Sequence, residues 1–337
     1  MLRTILLGIT VLVLVVGGLV GYRAYEFLTV PPHTPGESKF VTIEPGQPFD
    51  AVANMLVAEG VLRDAEGFKL LARITEKGGK IKAGEFEVNT GWTPYQLLNY
   101  LVTAKSIMHK LAAPEGLTMR QIARLAEEAG LCSQQAFLKA AKDPQLLQKY
   151  HIPAKSAEGF LFPNTYFFTR KRGDDGAYVV EAMLKEFWRQ ADYVWPTAKP
   201  TGKDLLAAVT LASIVEKETG VDAERPRVAG VFLNRMAKGM LLQTDPTIIY
   251  GLGDKYTGNI TRAHLEDPTN LYNTYVHPGL PPGPICSPGL KSLQAVAAPE
   301  IHDYYYFVAN GEGEHVFSKT LDEHINAVNK YQRRKKQ

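Results

Sequence analysis

A chain of 337 residues is long enough for about two ordinary domains. With 45% apolar and 22% charged residues it does not have the composition of a disordered protein. A formal net charge of only +3, with no dense Lys/Arg stripe before the last few residues, argues against a nucleic-acid binder. The first element in chain order is Thr4–Tyr22, an uncharged run of 19 residues rich in Leu, Ile and Val. About 20 apolar residues span a bilayer core as a helix. The run has no polar face, which argues against a core helix. A cleaved signal peptide is the competing reading, but no Ala-x-Ala site follows and the run exceeds a typical signal core. An uncleaved anchor is therefore favoured. Arg3 and the α-amine favour an internal N-terminus, although Arg23 sits just past the other end. Residues 1–23 are expected to be this anchor with a short cytoplasmic start, and the rest of the chain to lie outside the inner membrane.

Residues 24–38 hold Val30-Pro-Pro-His-Thr-Pro-Gly-Glu-Ser38, which reads as a stiff linker lifting the globular part off the membrane. Residues 39–107 then give a short strand at Phe40–Ile43, a turn at Pro45-Gly46 and a helix over Phe49–Glu59 with apolar residues at helical spacing. A second helical stretch spans Phe68–Arg73, and the alternation of Gly84–Val88 predicts a strand. Thr93 caps a further helix. Strand, turn, helix, helix and returning strand resemble a LysM-type carbohydrate-binding module. A small α+β spacer without a ligand is the alternative.

A second unit, residues 108–337, begins near 109–112. Glu115-Gly-Leu-Thr118 caps a helix through Ile122, Leu125 and Ala126, and Gln134–Lys142 forms another. From Glu158 to about residue 325, Gly, Pro, Tyr and Asn crowd between short helices, the texture of a cleft built from loops. The helix Lys203–Thr219 is apolar around most of its circumference, which predicts burial. Lys203, Thr210, Ser213 and Lys217 leave it one narrow polar stripe. Glu216 and Glu218 end it, about 200° apart on the helix. A carboxyl in apolar surroundings has a raised pKa and can act as a general acid near neutral pH. The alternative is that both glutamates pair with Lys217, Arg225 or Arg227, and helix geometry does not choose between them. Cys132 and Cys286 match no metal or redox spacing. They pair only in an oxidising compartment, or they pack as free thiols. The histidines show no ligand spacing and no Ser or Cys elbow is present, so neither a metal nor a cofactor is expected.

Aromatic and amide-bearing segments follow one another through this unit. They are Glu158-Gly-Phe-Leu-Phe-Pro-Asn-Thr-Tyr166, Ala212-Ser-Ile-Val-Glu-Lys-Glu218, Asn234-Arg235, Leu242-Gln-Thr-Asp-Pro-Thr247, Tyr272-Asn-Thr-Tyr275, Gly279-Leu-Pro-Pro-Gly-Pro-Ile285 and Tyr306-Phe-Val308. Aromatic faces suit the C–H surfaces of sugars, and amides and carboxylates suit their hydroxyls. In this order the segments resemble those of the YceG-like endolytic murein transglycosylases. The resemblance implies an α+β fold: a transmembrane helix, a LysM-like module and a mixed α+β catalytic domain with a loop-built cleft. It singles out Glu218 as the catalytic acid/base, and Glu158, Gln243, Asp245, Thr247, Tyr272, Asn273 and Tyr275 as substrate-binding positions. Asn164 departs from the family pattern, where an aspartate is expected. Asn234-Arg235 fits either substrate binding or a structural pair with a carboxylate.

The resemblance also implies the chemistry: cleavage of the bond from N-acetylmuramic acid to N-acetylglucosamine within peptidoglycan strands, leaving 1,6-anhydro ends. Implied partners are glycan strands, the inner membrane and peptidoglycan synthases of the penicillin-binding class. Two rivals remain at this stage. One is a non-catalytic wall-binding scaffold. The other is a water-using muramidase, which needs a second carboxylate from Glu216, Asp245 or Glu158.

Overall fold

The uncharged N-terminal run folds as one long helix, α1 (Leu2–Thr29), in a computed structural model that describes residues 2–171 and 173–333. Its stretch Ile5–Thr29 is long and apolar enough to cross a membrane, and the most apolar part of it is not buried in protein. The four last residues of the C-terminal basic run, 334–337, lie outside the described residues. The described chain divides into two compact units, each with its own core. One comprises Met1–His109 with Phe167–Gly173, and the other Lys110–Tyr166 with Asp174–Gln337.

In the first unit β1 (Ser38–Ile43) leads through a turn to α2 (Phe49–Ala58) and α3 (Ala65–Ile74). β2 (Gly84–Asn89) returns antiparallel to β1, with Phe40 opposite Glu87 and Val41 opposite Phe86. α4 (Pro94–Thr103) starts with a capping box in which the Thr93 hydroxyl and the Gln96 side chain satisfy each other's backbone N–H. The apolar faces of these elements close one core, with Leu56, Phe68, Phe86 and Leu98 fully buried and Phe27 from α1 packed against it. This is the expected strand–helix–helix–strand order. The proline-rich segment is less free than its composition implies. Arg63 donates to the Pro32 carbonyl at 2.5 Å, and the His33 N–H and Thr90 N–H bond to the Thr90 and Glu37 carbonyls. The unit also takes in Phe167–Gly173, because the buried Glu85 carboxylate pairs with His109 at 2.6 Å and with Arg170 at 3.6 Å.

The chain enters the second unit through β3 (His109–Ala113). α5 (Met119–Glu128) again opens on a capping box, from Thr118 and Gln121. α6 (Gln134–Ala140), α7 (Pro144–Lys149) and β4 (Asn164–Phe168), which pairs with β3, follow. α8 (Ala177–Val194) was not anticipated from sequence. It buries Val179, Val180, Met183, Leu184, Phe187 and Ala191, the i, i+3, i+4 spacing of an amphipathic helix.

α9 (Gly202–Glu218) runs through the centre of the unit. α10 (Arg225–Ala237), α11 (Asp245–Leu252), α12 (Arg262–Leu265) and α13 (Leu290–Ala297) follow, then the antiparallel hairpin of β5 (Tyr306–Ala309) and β6 (His315–Ser318), and α14 (Leu321–Val328). α9, α10 and α13 share a core that includes Ile214, Val215, Phe232, Leu242 and Ala295. One expectation is corrected here. Thr210 and Ser213 do not form a solvent stripe with Lys203 and Lys217, because both are buried. The Ser213 hydroxyl donates to the Thr210 carbonyl at 2.7 Å and accepts the Ile285 N–H at 3.0 Å. The proline-rich segment before Ile285 is thereby fastened along α9. Gly159 explains its approach on the other side: its φ is +83°, and a Cβ there would stand 2.3 Å from Pro284.

Candidate active site

α9 stops at Glu218 because Thr219 turns to extended backbone (φ −140°, ψ 135°) and Gly220 follows. The glutamate therefore sits where the helix dipole disfavours a negative charge. It lines a cleft of about 520 Å³, the size of a small-ligand site. Burial is the main cause raising the Glu218 pKa above the ordinary carboxyl value, and the nearby Asp245 charge adds to it. The Thr244 hydroxyl, which donates to Glu218 Oε1, pulls the other way, as do His315 and Arg235. Burial wins, so this carboxyl keeps its proton to higher pH than an exposed one.

Glu216, two residues earlier, faces elsewhere. Its carboxylate pairs with Arg225 at 3.2 Å and accepts from the Ser292 hydroxyl at 2.7 Å and the Gly289 N–H at 3.0 Å. Both side chains of the pair are nearly inaccessible, at 6% and 7%. The two acids of the Glu-x-Glu pair thus have different partners and different surroundings.

The opposite lip of the cleft is the segment entering α11. Gln243 has φ +51°, a left-handed conformation that a non-glycine residue keeps only when its neighbours hold it. They do: its N–H donates to the Thr274 carbonyl at 3.1 Å, and the Thr244 N–H donates to Thr274 Oγ1 at 3.1 Å. Thr247 braces the same turn, donating to the Thr244 carbonyl at 2.7 Å and lying 2.9 Å from Thr274 Oγ1. Asn273 is buried. Its amide donates to the carbonyls of His264, Leu265 and Asp267, and its oxygen accepts the Tyr275 N–H. Tyr275 in turn donates to Asp245 Oδ1 at 2.6 Å. Burial and that bond to Asp245 push the Tyr275 pKa up, so the phenol stays a donor.

Of the residues singled out from sequence, Glu218, Arg235, Gln243, Asp245 and Tyr275 line one cleft. Thr247 and Asn273 lie behind it, with their polar atoms used in holding its lip. Glu158 also lies away from the cleft lining, 5% exposed. Its carboxylate accepts the Met119 N–H at 2.9 and 3.1 Å and the Tyr250 hydroxyl at 3.1 Å. Tyr272 packs on Tyr250, ring centroids 4.8 Å apart. Asn164 is exposed and donates to Glu186 at 3.3 Å. Arg235, on the cleft wall, and Asn234 both bond to backbone carbonyls and not to a carboxylate. Arg235 donates to Tyr305 and Leu242, and Asn234 to His302 and Tyr304.

Sequence reasoning gave no role to Thr244, Thr274, Tyr306, His315 or His324, although Thr274 and Tyr306 stood inside noted segments. Thr244 stood inside a noted segment, but nothing local marks it as the residue that reaches Glu218. The Cys132 and Cys286 thiols are free and buried. Among the described residues no group of three or more His, Cys, Asp or Glu is placed to hold a metal ion.

A family model described as the YceG-like family matches residues 41–330. The chain belongs to the YceG-like family. It is similar to a protein named endolytic murein transglycosylase from Bacillus subtilis, 32% identical over 310 residues, covering 86% of this chain and 84% of that one. A protein of the same name from Streptococcus pneumoniae R6 is 29% identical, covering 91% of this chain and 61% of its own length. The fold is similar to the 2.6 Å crystal structure of a YceG-like protein from Listeria monocytogenes, with a TM-score of 0.55 and 31% identity over 86% of this chain and 98% of that one.

Two outcomes follow from the geometry of this YceG-like chain. Thr244→Val removes the bond that favours ionised Glu218, so the carboxyl holds its proton to still higher pH. If Glu218 acts as an acid, the alkaline limb of the pH–rate profile moves up and kcat falls by about tenfold. The second outcome concerns stability. Burial raises Glu158 from 4.5 to about 7, against the hydrogen bonds from Met119 and Tyr250. A folded value above the unfolded one means its contribution is full below pH 4.5 and is lost as pH rises through about 7, a swing of up to roughly 3 kcal/mol. Glu158→Gln should flatten that dependence, measured by urea denaturation at about pH 5 and about pH 8.

Proposed function

We propose that this chain is a lyase, a membrane-anchored endolytic transglycosylase that cuts peptidoglycan glycan strands, with Glu218 as its lone acid/base. The observation that carries the reading is the half-buried Glu218 carboxyl on the wall of a sugar-sized cleft, its pKa raised. The names of the Bacillus and Streptococcus relatives support the substrate and the reaction. Glu218 donates its proton to the glycosidic oxygen as that oxygen leaves C1 of the muramoyl residue. The C6 hydroxyl of the same residue closes on C1, and the Glu218 carboxylate takes the hydroxyl proton. The acid is regenerated, no water is consumed, and the product carries a 1,6-anhydro end. The nucleophile is already tethered, which removes the entropic cost of bringing in a second reactant.

Gln243, Asp245 and Tyr275 are assigned to the sugar itself, with Asp245 offsetting positive charge on the oxocarbenium-like transition state. Asn273, Thr247, Tyr272 and Glu158 act through the segments they hold. A water-using muramidase is the second reading. Among the carboxylates considered for it, Asp245 lines the cleft, whereas Glu216 is tied to Arg225 and Glu158 is buried outside it. Mass analysis of products from uncrosslinked strands separates the readings. Ends one water lighter than hydrolysis products support the lytic reaction, and hydrated ends overturn it. A scaffold would give no cleavage.

The remaining assignments follow from this reading. Residues 1–23 cross the inner membrane with the N-terminus in the cytoplasm, 24–38 connect, 39–107 form a LysM-like module, and 108–337 form the periplasmic catalytic domain. Such an enzyme limits nascent strand length beside peptidoglycan synthases of the penicillin-binding class.

A further inference from the structure

We propose that α14 carries an acetamide-binding subsite of the cleft, centred on His324. The inference rests on the glycan-cleaving reading of the same cleft. Leu321, His324 and Val328 recur at three- and four-residue spacing, so they share one face of α14, and that face lines the cleft together with Glu218. The His324 ring lies nearly parallel to Tyr306, centroids 5.3 Å apart at 22°. Arg235 packs on the Tyr306 ring at 5.6 Å, with its Nε and one Nη already given to the Tyr305 and Leu242 carbonyls. Tyr306 thus lies between a tethered Arg235 and the His324 ring that stacks on it.

Among the described residues, His324 Nδ1 is buried without a hydrogen-bond partner. A buried polar atom left unpaired needs an explanation, and a bound group is one that a cleft provides. A half-turn of the ring about its Cβ–Cγ bond would exchange the Nδ1 edge for the opposite one. The chemistry of that group follows from charge and shape. Burial and the Arg235 charge hold the His324 pKa below the ordinary value, so the ring is neutral at neutral pH. A neutral imidazole offers one donor and one acceptor. That pairs with an amide, which has an N–H and a C=O, and gives no charge attraction for a carboxylate. Leu321 and Val328 on either side supply apolar contact for a methyl group. An amide carrying a methyl group is an acetamide, which both sugars of the proposed substrate bear.

The test measures binding of uncrosslinked strands, fully N-acetylated or chemically de-N-acetylated, to the full chain carrying Glu218→Gln. With His324 intact, acetylated strands bind more tightly than de-acetylated ones. Adding His324→Ala weakens binding of acetylated strands by about tenfold and removes most of that preference. Adding His324→Gln, whose amide keeps a donor and an acceptor, restores part of both. A His324→Ala protein that keeps the full preference overturns the subsite, as does a His324→Gln protein that binds no better than the alanine variant. Cleavage of the strands by Glu218→Gln itself would instead overturn the assignment of the acid, so the two failures are distinguishable.

Discussion

Glu218→Gln lowers turnover on purified, uncrosslinked glycan strands by roughly 10³-fold, within the range expected for loss of a general acid. Glutamine keeps the shape and can still accept the Thr244 hydroxyl, but it has no proton to give and no carboxylate to take one back. The variant is at least as stable as the parent at neutral pH, because a carboxyl whose pKa folding raises costs free energy there that the amide does not incur. Turnover by quantified anhydro ends, with denaturation alongside, measures both effects. Near-normal turnover by a folded Glu218→Gln protein would remove the acid/base assignment.

Glu216→Ala, two positions away on the same helix, has the opposite profile. It strips the buried Arg225 guanidinium of its buried partner and leaves the Gly289 N–H and Ser292 hydroxyl without their acceptor. Breaking a buried ion pair by removing one member costs about 3–5 kcal/mol. Asp222, 3.1 Å from Arg225, takes part of the charge, so about 3 kcal/mol is expected. Urea denaturation reads the loss directly, and the fraction that remains folded should still cleave strands. An unchanged unfolding midpoint would show that Glu216 does not anchor α9 to α13.

The contrast between these two glutamates also marks what was legible in the sequence. An unbroken apolar run gave α1, periodicity α2 and α5, and a mostly apolar circumference the burial of α9, while Thr93 and Thr118 announced the helix starts they cap. Those are local signals, and the chain obeyed them. Which of Glu216 and Glu218 faces the cleft depends on whether Arg225 and Ser292 or Thr244 and Asp245 pack beside each. None of those contacts is written into the helix itself. Thr210 and Ser213 read as a polar stripe because their hydroxyls count as surface in a helical pattern, yet a distant proline-rich segment covers them. Asn273 and Thr247 were expected to bind substrate, but their polar groups point to backbone carbonyls and to Thr274, and only tertiary pairing reveals that. His324 and Arg235 meet through Tyr306 across some 90 residues of chain, a stack that no window of the sequence contains.

The account depends on Glu218 holding its proton in the resting enzyme. Carbon-13 NMR of the intact chain labelled at glutamate carboxyls reads this directly, with the Glu218 signal assigned by its absence in Glu218→Gln. The expected titration midpoint lies above the ordinary glutamate value of 4.5, and Thr244→Val raises it further. A midpoint at or below that value would mean the carboxyl is ionised at neutral pH, and it could not then act as the acid.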